Sequence, residues 1–161
     1  TGFLVYGMAW TYGATQSLSF DAITIAASTD APSAPMLFGV ALMIIALGFK
    51  VGAAPMHFWI PDVYQGAPTP TTAFLSVGSK ASGFVALMAV MAPYAASPHA
   101  HKLFSVLAIL ACITLVVGNF GAIPQNNFKR LLAYSSIANA GFLLLAVAAN
   151  RDGATSLSSP Q

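Results

Sequence analysis

The chain has 161 residues, 57% hydrophobic and 6% charged, a net charge of +2, one cysteine and a mean hydropathy of +0.76. So few charges cannot keep a water-soluble domain in solution, and no basic cluster larger than Lys129-Arg130 exists to hold nucleic acid. Cys112 has no second cysteine to pair with, and in its apolar run it reads as a small buried hydrophobe. The class that remains is an all-α, polytopic membrane helix bundle in contact with the lipid bilayer.

Residue 1 is Thr and no basic segment precedes the first apolar stretch, so the opening is read as the interior of a helix in a fragment of a longer protein. Residues 1–12 form a partial span, with Trp10 and Tyr12 at an aromatic belt, or a short amphipathic stub. Residues 13–35, with Gly13, Asp21, Asp30, Pro32 and Pro35, read as an acidic loop in which Ala22–Ala27 makes a surface helical turn. Full spans are expected at 36–59, 71–94, 103–123 and 128–149, each long enough to cross a bilayer. Together 1–149 make the membrane part, and 150–161 a polar tail that is disordered or truncated.

Two lysines stand inside these apolar runs. Lys50 and Lys80 have no acidic residue nearby in sequence, although a lysine at the centre of a membrane helix costs about 2.5–3.5 kcal/mol on insertion scales. With helix ends near Trp59 and Thr71, each lysine lies nine residues from the connection, roughly 14 Å at 1.5 Å per residue. The spans on either side are then antiparallel neighbours, and the lysines share one depth. Two ammonium groups in one low-dielectric site disfavour each other's charge, so one becomes a candidate for taking up and releasing a proton. The competing reading is that both merely anchor their helices by snorkelling, which suits lysines nearer to water than these.

Local sequence supports a site at the first lysine. Pro55 removes a hydrogen bond to the carbonyl of Val51, and Gly52 favours unwinding, so a broken helix is expected just after Lys50. Freed carbonyls at such a C-terminal half-helix end suit a cation. An ordinary proline kink is the plainer alternative. Thr72, Ser76 and Lys80 recur every four residues, and Gly83 continues that face, which brings hydroxyls towards the lysine or simply lets helices pack. In the last span Tyr134, Ser135, Ser136 and Asn139 form a polar band, with Ser135 and Asn139 on one face. Asn119 is read as a bond to a neighbouring helix. His99 and His101 could open a metal site but lack a third ligand, so they read as a solvated loop and no metal is expected. Counting loops alternately, the positive-inside rule places 60–70 and 124–130 in the cytoplasm, with Lys102 opposing it.

The stretches HFWIPDVYQGAPTPTTAFLSVGSKASGF and QNNFKRLLAYSSIANAGF resemble a known family. They are similar to the antiporter-like subunit N of bacterial NADH:quinone oxidoreductase, respiratory complex I, and its mitochondrial counterpart, over roughly residues 1–149. The run Pro61 to Pro70 is closer to subunit N than to the sister subunits or the multisubunit sodium/proton antiporters, which share the His-x-Trp-x-Pro-Asp and Lys-Arg-x-Leu-Ala-Tyr-Ser patterns. The resemblance implies a fold of inverted helical repeats with broken helices at the ion path, in a bacterial inner membrane. It implies proton translocation coupled to quinone reduction, with Lys50 as the lysine of the broken helix and Lys80 as the next carrier. Pro55, Ser76, Ser135 and Asn139 support them, and His57, Asp62 and Lys129 match motif positions at the cytoplasmic side. Other membrane subunits of complex I are the implied partners, and FMN, iron–sulfur clusters and quinone are implied in partner subunits. This chain has neither a cysteine set for a cluster nor a Gly-x-Gly-x-x-Gly run, so no cofactor is expected in it. A cation/proton antiporter subunit and a non-catalytic membrane scaffold are the two alternatives.

Overall fold

A computed structural model describes residues 1–29, 33–95, 97 and 100–149; the expectations for Asp30, Pro32, His99 and the 150–161 tail lie outside them. Among the described residues seven helices follow one another: α1 Gly2–Thr15, α2 Phe20–Thr29, α3 Ala34–Val51, α4 Trp59–Gly66, α5 Thr69–Tyr94, α6 Ala100–Ala122 and α7 Phe128–Ala149. Among the described residues α3, α5, α6 and α7 are each long and apolar enough to cross a membrane. α6 shows why: Val106, Ile109, Ile113, Val116 and Phe120 point outward, the reverse of what water would tolerate. The inward side chains of α3, α5, α6 and α7 meet in one core around Val40, Leu47, Leu87, Leu107 and Leu144.

Several boundaries differ from those expected. The segment between α1 and α3 is largely helical, because Ser19 caps the N–H of Ala22 and the apolar Ile23 and Ala27 bury against the rest of the bundle. His101 lies in the first turn of α6 and not in a loop. The largest difference is in the first lysine span, which stops at Val51 and not at Trp59. Hydropathy runs on through Ala53, Ala54, Met56 and Phe58, but the backbone turns at Gly52, whose φ of 82° is left-handed. The N–H groups of Gly52 and Ala53 both close on the Gly48 carbonyl, at 2.9 and 2.8 Å. The chain continues through a cis Ala54–Pro55 peptide and becomes helical again at Trp59.

α5 is also irregular. Within its 26 residues, Leu75–Ser79 is wound as a π turn immediately before Lys80, and Ala92–Tyr94 tightens to a 3-10 turn. Small residues set the closest crossings. A Cβ on Gly118 of α6 would stand 2.6 Å from the backbone nitrogen of Ala138 in α7, so only glycine permits that approach.

Candidate functional site

The break between α3 and α4 is held open by specific bonds. Trp59 Nε1 donates to the carbonyl of Phe49 at 3.0 Å, taking up one of the carbonyls left free where α3 ends. The N–H of Ala54 donates to the hydroxyl of Thr114 on α6 at 3.0 Å, and that hydroxyl donates in turn to the Leu110 carbonyl at 2.6 Å. Thr114 is fully buried, so this bond is a polar tether between the break and α6 that water does not readily replace.

Lys50 lies in the last turn of α3, one residue before the break, and its stem crosses Gly83 of α5. Any side chain at Gly83 would press on Val51 and on the Lys50 stem. Lys80 is one turn away on the same helix, so the two lysines flank the α3–α5 seam as neighbours. Lys80 is eleven residues from Thr69 and fourteen from Tyr94, roughly 16 and 21 Å, which places it near the middle of the longest helix. The nine-residue spacing expected for Lys50 fails because α3 ends early. Its depth is set by the seam with α5 instead. Lys50 is exposed in this chain, whereas Lys80 is 7% exposed.

Burial of Lys80 is compensated by a residue that the sequence pattern did not single out. Its Nζ donates to the carbonyl oxygen of Ser136 at 2.7 Å and to the Ser136 hydroxyl, both on α7. The Ser136 hydroxyl also shares a 3.2 Å hydrogen bond with the phenol of Tyr64 on α4. Tyr64 packs with Ile60, Ala133 and Ile137 in a small second core that fixes α4 on α7. Its spacing of four from Ile60 was the available signal, a buried stripe on a short helix. The expected face of Ser135 and Asn139 does not hold the lysine; the neighbouring serine does.

A cavity of about 780 Å³ opens beside Lys80 between α4, α5 and α7. Thr72, Ser76 and Lys80 line it from α5, and Lys129, Ser135, Ser136 and Asn139 line it from α7. It is a mostly apolar space with hydroxyls and the Asn139 amide around Lys80 and a second ammonium, Lys129, farther along, the arrangement that lets a few waters reach a charge inside a membrane. At its Thr69 end Lys129 Nζ donates to the Ala67 carbonyl at 3.2 Å. Arg130 Nη1 donates to Asp62 at 2.6 Å and to Gln65 at 3.0 Å, so that α4 is strapped to the start of α7. Asp62, through Arg130, and Lys129, through the Ala67 carbonyl, therefore both lie where α4 packs on the start of α7. His57 is elsewhere, buried in the break against the ring of Phe58 with centroids 4.6 Å apart. Pro55 sits in the same break, exposed. Among the described residues no group of three His, Cys, Asp or Glu side chains converges on one point.

Comparisons with known proteins agree with this fold. NADH-quinone oxidoreductase subunit N of Halorhodospira halophila is 46% identical over 152 residues, covering 94% of this chain and 31% of that protein. Subunit N 2 of Roseiflexus castenholzii is 49% identical over 153 residues, covering 92% and 30%. This chain thus spans about a third of the length of such relatives. Among solved structures, a chain of respiratory complex I from Thermus thermophilus superimposes with a TM-score of 0.73 at 43% identity, over 91% of this chain and 30% of that one. A chain of the archaeal membrane-bound sulfane sulfur reductase reaches 0.83 at 31% identity, over 91% and 30%. The Mrp complex of Dietzia shares the fold, with a TM-score of 0.78 at 23% identity over 91% and 27%. The family described as NADH:quinone oxidoreductase/Mrp antiporter, transmembrane, matches residues 1–159, and with its broken helix and its lysine-lined cavity the chain belongs to that family.

Proposed function

We propose that this chain is the part of a proton-translocating membrane subunit that carries two of its lysines, Lys50 and Lys80, within a respiratory NADH:quinone oxidoreductase of a bacterial inner membrane. The observation that carries the reading is Lys80. It is a buried ammonium with no carboxylate beside it among the described residues, bonded to a serine, at the wall of a cavity large enough for several waters. A lysine that served only as an anchor would reach water or pair with an acid. Here the positive charge is held by neutral oxygens, which leaves its proton exchangeable. Lys50, at the open end of α3, is the next group along the α3–α5 seam.

Pro55, with Gly52, maintains the break. Ser76, Ser135 and Asn139 supply cavity-lining polar groups. His57 lies on the break, and Asp62 and Lys129 lie at the end that the charge bias of the loops assigns to the cytoplasm. Redox chemistry, with its FMN, iron–sulfur clusters and quinone, belongs to partner subunits of the complex, and the partners of this chain are its other membrane subunits.

A cation/proton antiporter subunit would need oxygen ligands for sodium, and no acidic residue lies within the membrane spans. Proton transport is therefore the better reading. The test is proton pumping, with quinone reductase activity in parallel, in the intact parent complex carrying Lys50→Arg or Lys80→Ala. Arginine keeps the charge but does not readily release a proton. Loss of pumping in an assembled complex supports titrating lysines. Normal pumping in both variants refutes the reading and leaves a scaffold role.

A further inference from the structure

Between Lys80 on α5 and Tyr64 on α4 stands one small side chain, Ser136. Its hydroxyl bonds the ammonium on one side and the phenol on the other, and in the second bond either oxygen can donate. Lys80 and Tyr64 are both buried, at 7% and 3% exposure, and Ser136 between them is half-buried on the wall of the cavity.

The direction of the chain is dictated by hydrogen-bond inventory. An ammonium has donors and no acceptor, whereas a hydroxyl has one donor and two acceptor sites. When Lys80 is charged, Nζ donates to Ser136 Oγ, and the Ser136 proton is left to point at Tyr64 Oη. When Lys80 is neutral, Nζ offers a lone pair. Ser136 can then turn its O–H towards the amine, and its oxygen accepts the O–H of Tyr64. Both bonds reverse together. The carbonyl of Ser136, which only accepts, stays bonded to Nζ in either state.

We propose that Ser136 and Tyr64 form a two-hydroxyl relay whose polarity follows the charge of Lys80 and transmits it to α4, the second half of the broken helix. The proposal rests on Lys80 being a proton carrier. Ser136 and Tyr64 are positioning residues in it, since neither has to gain or lose a proton. α4 is the element that could use the signal. It begins at the break that follows Lys50, and Tyr64 is its buried polar side chain. The relay thus runs from one lysine to the helix that starts beside the other.

Two substitutions separate the relay from simple packing. Tyr64→Phe keeps the ring and removes only the hydroxyl, which leaves the Ser136 proton without its acceptor in the charged state. Ser136→Ala removes the middle of the chain, and Ser136→Thr restores a hydroxyl at the same atom. The assay is proton pumping per NADH oxidised by the intact parent complex, with assembly checked in each variant and Lys80→Ala measured alongside. The expected result is that Tyr64→Phe and Ser136→Ala each reduce pumping by roughly threefold to tenfold, the range set by one hydrogen bond. Ser136→Thr should restore most of the loss. Normal pumping in Tyr64→Phe, with pumping lost in Lys80→Ala, overturns the relay and leaves Lys80 as a carrier. Equal losses in Ser136→Ala and Ser136→Thr make position 136 a matter of shape and also overturn it. Normal pumping in Lys80→Ala removes the carrier, and the relay with it.

Discussion

Replacing Gly52 by alanine tests the geometry on which the break depends. Gly52 has φ 82°, and its hydrogens face the methyl end of Ile60 and the stem of Lys80. A left-handed conformation costs a non-glycine residue roughly 1–2 kcal/mol. The added Cβ would also stand 2.0 Å from Ile60 Cδ1 and 4.0 Å from Lys80 Cε. Ile60 is fully buried and cannot swing into solvent, so the contact adds the cost of overpacking, about 1–3 kcal/mol. The total for Gly52→Ala is about 2–5 kcal/mol. Adding Ile60→Val deletes the Cδ1 methyl and should recover most of the steric part, leaving the backbone part. The assay is the thermal midpoint of the purified parent complex, read by loss of this subunit, for the single and double variants. A single variant within about 0.5 kcal/mol of the parent, the scatter of ordinary surface changes, would refute the left-handed turn at Gly52. A double variant no more stable than the single one would refute the contact with Ile60.

Three further predictions follow from the same packing. Thr114→Val leaves the buried N–H of Ala54 without an acceptor and should lower stability by about 1–3 kcal/mol, whereas Thr114→Ser should not; thermal midpoints of the two variants compare them. Gly118→Ala forces a Cβ against the backbone of Ala138, so α6 and α7 must separate, at a cost of about 1–3 kcal/mol that reduced recovery of the subunit in assembled complex would report. Asp62→Asn breaks the ion pair with Arg130, but the Asp62 side chain is 74% exposed, so the change should stay below about 1 kcal/mol and shrink as salt is raised. A larger, salt-independent loss in Asp62→Asn would show that the pair does more than strap α4 to α7.

Much of this site can be read from residues alone. Lysines without carboxylate partners in apolar runs, and a glycine and a proline a few residues after Lys50, mark the seam and the break. Thr72, Ser76 and Lys80 mark the cavity wall. What cannot be read is where α3 ends, because hydropathy reports burial in lipid and is blind to whether the backbone is wound. Ala53 and Ala54 are as apolar as any helical residue, yet they are in the turn. Ser136 is in plain view within a polar band, but its choice over Ser135 depends on the rotation of α7 about its own axis, which its crossing with α6 at Gly118 on Ala138 helps to set. Tyr64 belongs to a helix of eight residues, in which a single pair, Ile60 and Tyr64 four apart, is all the periodicity that marks its inner face.

The wide turn before Lys80 has a geometric consequence for that side chain. In a regular α-helix each residue advances about 100°, so Thr72 and Lys80, eight apart, would diverge by about 80°. A turn closed through i→i+5 bonds takes more residues to come round and cancels much of this drift, which is how both residues reach the same cavity. The helix therefore holds one residue more than its length of cylinder requires, and that surplus lies against the lysine. Moving it by one position, from before Lys80 to after it, would swing this one side chain by about 100° around the axis. Thr72 above and Phe84 below would keep their places, so the lysine could change the side it faces while the helix that carries it stays still.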